Sequence, residues 1–161
     1  MEFEKRLERA IVRGQQTRDA KGRAEAERAL NEEDLKALHS RCQIDLSEHI
    51  EKCLKEVSDH FPGFDFQTIV GGEGWGATIS RDDFERRAGR TSENLFSRLE
   101  MLIRPLGSAH IIELAAKGTV RNKELFNRNH YQFLSQADFD SFNELIDLWS
   151  LEYAEQYAAR T

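Results

Sequence analysis

Five side chains able to ligate a metal, or to act as nucleophile and base, recur along one stretch: His39, Cys42, His49, Cys53 and His60. Residues three or four apart share a face of an α-helix. His39 with Cys42, and His49 with Cys53, could therefore each offer an imidazole nitrogen and a thiolate sulfur to one zinc-like ion. The two pairs sit about 15 Å apart along a helix rising 1.5 Å per residue, so a single helix cannot merge them into a four-ligand site. A zinc site here needs the same helix from a second chain, or carboxylates from elsewhere. The plainer reading is two small core thiols with imidazoles at the boundary, because these positions follow the leucines and free cysteine is a common core residue. On that reading no metal and no cofactor is expected.

The other catalytic patterns are weaker. Cys42 and Cys53 are eleven residues apart, about 16 Å on a helix, too far for a disulfide, which needs less than about 7 Å. Both fall inside a helical stripe, whereas a poised thiolate wants a helix N-terminus or an adjacent cation. Gly72-Glu73-Gly74-Trp75-Gly76-Ala77 matches the dinucleotide pattern G-x-G-x-x-G/A, but the residues after it alternate as a strand instead of opening the helix that would hold a pyrophosphate. It reads as a hairpin turn with glycines at positive φ. No G-x-x-x-x-G-K-[ST] loop and no G-x-S-x-G elbow occurs. Asp82, Asp83 and Glu85 are mixed with Arg81, Arg86, Arg87 and Arg90, which reads as a solvated ion-pair loop over residues 81–95. No catalytic residue is expected.

Charge narrows the partners. The chain has 161 residues and a net charge of −6, against a generally basic nucleic-acid binder. Two local exceptions stand out: Arg9, Arg13, Arg18, Lys21 and Arg23 against the single acid Asp19, and Lys117, Arg121, Lys123 and Arg128 interleaved with Phe126, His130 and Tyr131. Cations beside aromatic rings can hold single-stranded nucleic acid, so this binding is possible but disfavoured. No run approaches a membrane span. The N-terminal MEFEKRLERA is charged where a signal peptide would be apolar, giving a cytoplasmic expectation.

The elements that would carry these groups emerge from hydrophobic period. Leu35, Leu38, Cys42, Leu46, Ile50, Cys53, Leu54, Val57 and Phe61 recur at steps of three and four, predicting a helix over 32–61. Asn31 and the acids after it are its start signal, and Pro62-Gly63 its stop. Residues 1–30 read as a charged helical arm with Phe3, Leu7 and Ala10 near heptad spacing. Gly14 and Gly22 weaken that arm, so it would fray or be held by a partner. From Phe64 the period changes to two. Strands are predicted at 64–70, 75–80, 98–104 and 112–121, with turns at Gly71–Gly74 and Pro105–Ser108. A fifth strand near 125–133 has Phe126, Tyr131 and Phe133 on mixed parity. A last helix opens at Ser135 and carries Phe139, Phe142, Leu145, Ile146, Trp149, Tyr153 and Tyr157, with Leu148 and Leu151 widening its apolar arc.

This order predicts an α+β two-layer sandwich over 31–161: a four- to five-stranded antiparallel meander with both helices on one face. Arg98, Glu100, Arg104, Glu113 and Lys117 then project from the open face, which is either simply wet or the floor of a protein contact. The element order resembles that of RWD-type interaction domains, but the chain lacks their Tyr-Pro…Pro turn, its only prolines being Pro62 and Pro105. The expected function is a non-catalytic interaction or adaptor protein that self-associates through helices. The rivals are a ligand-binding or enzymatic domain with Trp75, His60, His110 and His130 in a helix–sheet cleft, and a nucleic-acid accessory factor using the basic arm.

Overall fold

The structure, a computed structural model, describes residues 2–85 and 93–161, and for residues 23–31, 84, 85 and 93 it describes the backbone alone. In order the elements are α1 (Glu2–His60), β1 (Asp65–Gly71), β2 (Gly74–Glu85), β3 (Glu93–Ile103), β4 (Ile111–Val120), β5 (Lys123–Phe133), a 3-10 turn (Leu134–Gln136) and α2 (Phe139–Arg160). The chain forms two compact units, Met1–Ala37 and Leu38–Thr161.

In the first unit the backbone is helical from Glu2, and no helix begins at Asn31, because α1 runs unbroken through it. The predicted start is corrected for a local reason. Ala24-Glu25-Ala26-Glu27-Arg28-Ala29-Leu30 is made of strong helix formers, so nothing ends the preceding segment and the Asn31 cap signal has no terminus to act on. Every described side chain from Glu2 to Gly22 is exposed, including Phe3 at 75%, Leu7 at 48% and Ile11 at 53%.

In the second unit α1 ends where expected. Phe61-Pro62-Gly63 comes after His60, and Gly63 takes φ 108°, which favours glycine. Five antiparallel strands then pair in sequence order, β1-β2-β3-β4-β5. The register places Phe66, Ile79, Leu99 and Gly118 in one cross-sheet row and Ala77, Met101, Ala116 and Arg128 in another, all on the helix-covered face. Leu46, Ile50 and Leu54 of α1 and Phe142, Ile146 and Tyr153 of α2 are almost fully buried. Gln43 Nε2 donates to the Ile103 carbonyl at 3.5 Å, and Lys55 Nζ lies 5.8 Å from the Phe66 ring centre, so α1 covers the β1–β3 side. Tyr153 Oη donates to the Thr119 carbonyl at 2.9 Å, and His130 meets Phe142 edge-on at 5.1 Å, so α2 covers the β4–β5 side. Two helices on one face of an antiparallel sheet make the α+β two-layer sandwich.

Three local predictions need correction. The charged loop at 81–95 is shorter, since β2 continues to Glu85 and β3 begins at Glu93; Arg86, Arg87 and Arg90 lie outside the described residues. The Gly71–Gly74 turn is present, with Gly71 paired to Gly74, but among its glycines only Gly74 has positive φ. The last helix starts at Phe139, capped by Asp138, whose carboxylate accepts from Asp140 N–H at 3.1 Å. Ser135 sits in the preceding 3-10 turn, and Gln132 Oε1 takes the Asp138 N–H at 2.7 Å, which fixes the entry one turn later. In β5 the mixed parity is real. Phe126 is buried on the covered face, whereas Tyr131 and Phe133 stand on the open face, exposed by 58% and 55%. All three belong to one continuous register with β4, so their two parities alone put them on opposite faces; the register shift at Gly118/Thr119 falls on the other side of Phe126, between it and Glu124.

Candidate functional site

α1 carries His49 and Cys53 one turn apart at the margin of its buried stripe, and α2 carries Asp147 directly after the buried Ile146. Packing of the two helices brings these three side chains together. His49 Nε2 lies 2.7 Å from Asp147 Oδ1. The Cys53 thiol donates to the same oxygen at 3.3 Å, and Cys53 Sγ lies 3.6 Å from His49 Nε2. The His49 side chain is 27% exposed and that of Asp147 52%, so solvent reaches the cluster from one side. Among the described residues this is the one group of three or more His, Cys, Asp or Glu side chains close enough to share an ion.

Its electrostatics set what it can do. Burial pushes the Cys53 thiol up to about 12, and the Asp147 hydrogen bond, the Asp147 charge and Glu56 push the same way, with Lys52 opposing. At neutral pH the sulfur is therefore a protonated donor to a carboxylate, the opposite of an activated nucleophile. His49 Nε2 meets the same carboxylate oxygen at 2.7 Å, and the thiol donates to that oxygen at the shorter of its two distances. The arrangement suits ligation, where a cation replaces the thiol proton.

The other pair found in the sequence does not gather a third ligand among the described residues. His39 is buried, burial lowers its imidazole below the usual value, and a hydrogen bond with the Arg104 backbone acts the other way. Its Nε2 has no hydrogen-bond partner. Cys42 is a buried free thiol raised first by burial and then by Asp45. Both cysteines are free, as their helical separation requires. Asp147 was missed because nothing in the sequence distinguishes it from the other acids of α2; only the pairing of the helices selects it.

Beside the cluster runs a groove of about 470 Å³ between α1 and α2, with Cys53, Val57, Phe61, Leu151 and Ala154 among its lining and Glu56, His60 and Asp147 at its polar edge. Ser150 also lines it, with a buried hydroxyl that has no hydrogen-bond partner. Leu148 and Leu151 are exposed by 54% and 65%.

The remaining candidates separate. Trp75 is on β2 and His130 on β5, three strands and about 14 Å apart, so the four-residue cleft with His60 and His110 does not form. Asp82 and Asp83 lie on β2 instead of a loop. Asp83 accepts from Arg81 Nε at 2.7 Å, and Arg81 also donates to the Pro62 carbonyl at 2.6 Å, a brace between strand and turn. On the open face Arg104 pairs with Glu113 at 3.2 Å and Arg98 with Glu100 at 3.6 Å; the register puts Lys117 opposite Glu100. In the second basic region Arg128 donates to Glu152 through both terminal guanidinium nitrogens and lies 4.7 Å from the Phe126 ring centre. In the arm Arg9, Arg13, Arg18 and Lys21 are exposed; the Arg23 side chain lies outside the described residues. The space bounded by Lys5, Arg6, Glu8, Arg9, Val12 and Arg13 is the outside of one helix.

No helix of the described residues is long and apolar enough to cross a membrane. Comparison with protein-family models, with curated proteins and with solved structures finds no match to this chain.

Proposed function

We propose that this chain is a non-catalytic interaction protein that self-associates through its helices, the apolar stripe of residues 2–22 of one copy seating in the α1–α2 groove of another. The observation that carries this reading is Phe3, Leu7 and Ile11, spaced four residues apart on one face of α1 and all at least 48% exposed. A lone helix with such a stripe gains stability mainly from tertiary cover. Burying what remains exposed of three large side chains is worth about 1 kcal/mol each, or roughly 100-fold in an association constant.

Complementarity names the occupant. Arg6 and Arg13, seven residues apart, lie on one shoulder of the stripe, and Arg18 lies seven residues beyond Ile11 on the stripe's own line. The groove offers apolar Val57, Leu151 and Ala154 beside Glu56 and Asp147. Opposite charges at the rim of an apolar contact set orientation and on-rate. Copies joined head to tail in this way close as a pair if each arm reaches the other's groove.

Light scattering over a concentration series tests it. The wild-type chain at about 100 μM should exceed the monomer mass. The double substitution Leu7→Glu with Ile11→Glu, and separately Leu151→Glu, should each return it to monomer. Dissociation by the arm substitutions alone would mean that arms pair with arms. A wild-type monomer throughout would overturn self-association.

A further inference from the structure

We infer that His49, Cys53 and Asp147 form a binding site for a zinc-class divalent ion, with three protein ligands and one water, that ties α1 to α2. The donor set is one imidazole nitrogen, one sulfur and one carboxylate oxygen, which suits zinc, whereas magnesium and calcium take oxygen ligands. Charge balances as well. A thiolate and a carboxylate together neutralise a divalent cation, which suits a pocket that is only partly solvated.

The distances fit a tetrahedral ion. Bonds of about 2.0–2.1 Å to nitrogen and oxygen and about 2.3 Å to sulfur separate sulfur from its neighbours by about 3.5 Å and nitrogen from oxygen by about 3.3 Å. The sulfur–nitrogen and sulfur–oxygen separations are 3.6 and 3.3 Å. The nitrogen–oxygen separation is 2.7 Å and must open by about 0.6 Å, a small rotation for a side chain as exposed as Asp147. On binding, the sulfur–hydrogen bond of Cys53 breaks, its proton leaves to solvent and the sulfur lone pair goes to the metal. His49 Nε2 supplies its lone pair as the neutral imidazole. His39 and Cys42 take no part.

The site joins two helices of the same unit, so its occupation reads out in stability as well as spectroscopy. The full-length chain, freed of metal by chelation and without a histidine tag, is titrated with cobalt(II) and then zinc(II). One equivalent of cobalt should give a thiolate-to-metal charge-transfer band with the intense visible bands of a tetrahedral ion, and one equivalent of zinc should displace it and raise the melting temperature. Cys53→Ser should abolish the charge-transfer band, Asp147→Asn should weaken binding more than about tenfold, and Cys42→Ala should leave the band intact. Far-ultraviolet circular dichroism checks each fold, and exposed Asp147 supplies a second variant should Cys53→Ser unfold. Absence of the band in the wild-type chain, its survival in Cys53→Ser, or unchanged affinity in Asp147→Asn overturns the inference.

Discussion

Gly118→Ala should destabilise the α+β unit by about 0.5–2 kcal/mol, a figure that is the difference of two opposing effects. A Cβ at Gly118 would lie 3.0 Å from Phe126 Cζ and 3.1 Å from Tyr153 Cδ2, inside the ~3.5–4.0 Å of an ordinary carbon contact. Neither ring withdraws freely: both are buried, and Tyr153 is held by its 2.9 Å bond to the Thr119 carbonyl. Overpacking of this kind costs about 1–3 kcal/mol. Against it, alanine restricts the unfolded chain and restores about 0.4–1 kcal/mol, since Gly118 has no left-handed φ to forbid a side chain. Phe126→Leu removes the nearer ring. Alone it should cost about 1–2 kcal/mol, but with Gly118→Ala the new methyl occupies vacated space, so the double variant should cost about 1 kcal/mol less than the sum. Urea unfolding monitored by tryptophan fluorescence is the assay. Both tryptophans, Trp75 and Trp149, lie in 38–161, so the signal is blind to the arm. Wild-type stability in Gly118→Ala, or additivity within about 0.3 kcal/mol across the cycle, would refute this packing account.

Acid should weaken the fold through His39. Burial lowers its folded value below 6.5, so the unfolded chain takes up the proton first; its contribution is whole above that pH and declines as pH falls below it. The urea midpoint should therefore drop less between about pH 7.5 and 5.5 in His39→Gln than in the wild-type chain. At the β4–β5 turn Arg121 and Asn122 have φ of 47° and 67°, and Asn122 accepts from Phe96 N–H at 2.8 Å and donates to the Asn94 carbonyl at 2.9 Å. Asn122→Ala should cost about 1–3 kcal/mol by thermal or urea unfolding, and Asn122→Gly less, because glycine restores the backbone but not the two bonds.

Most of the sheet was legible because one of its faces is wet. Alternation such as Leu99, Met101 and Ile103 against Arg98, Glu100 and Arg104 survives only where an antiparallel sheet is covered on one side. The α1 stripe was legible for the same reason, by its 3.6-residue period. Legibility failed where two signals competed. Ser135 and Asp138 are both good caps, and the choice rests on the Gln132 side chain, a contact from β5 that local sequence does not carry. β5 puts aromatic residues on both faces, so parity blurred at Tyr131 and Phe133. The tight β4–β5 turn uses Arg-Asn instead of the glycine-containing pairs that announce such turns. The candidate site was half legible: His49 and Cys53 share a helix face by spacing, but Asp147 lies 94 residues after Cys53, and long-range partners leave no local periodic trace.

The meander also sets a timetable for synthesis. The strands pair with neighbours in chain order, so sheet pairing can proceed as each strand emerges. The layer over β4 and β5 comes from α2, which follows every strand of the sheet in the chain. Until the 22 residues of α2 have followed β5 out and docked, at least about one to four seconds at typical elongation rates, the second half of the sheet, with Ile112, Leu114 and Phe126 on the face that α2 covers, has nothing over it. A chain cut short just before Phe139 would thus carry the whole sheet with that face bare and dependent on a chaperone.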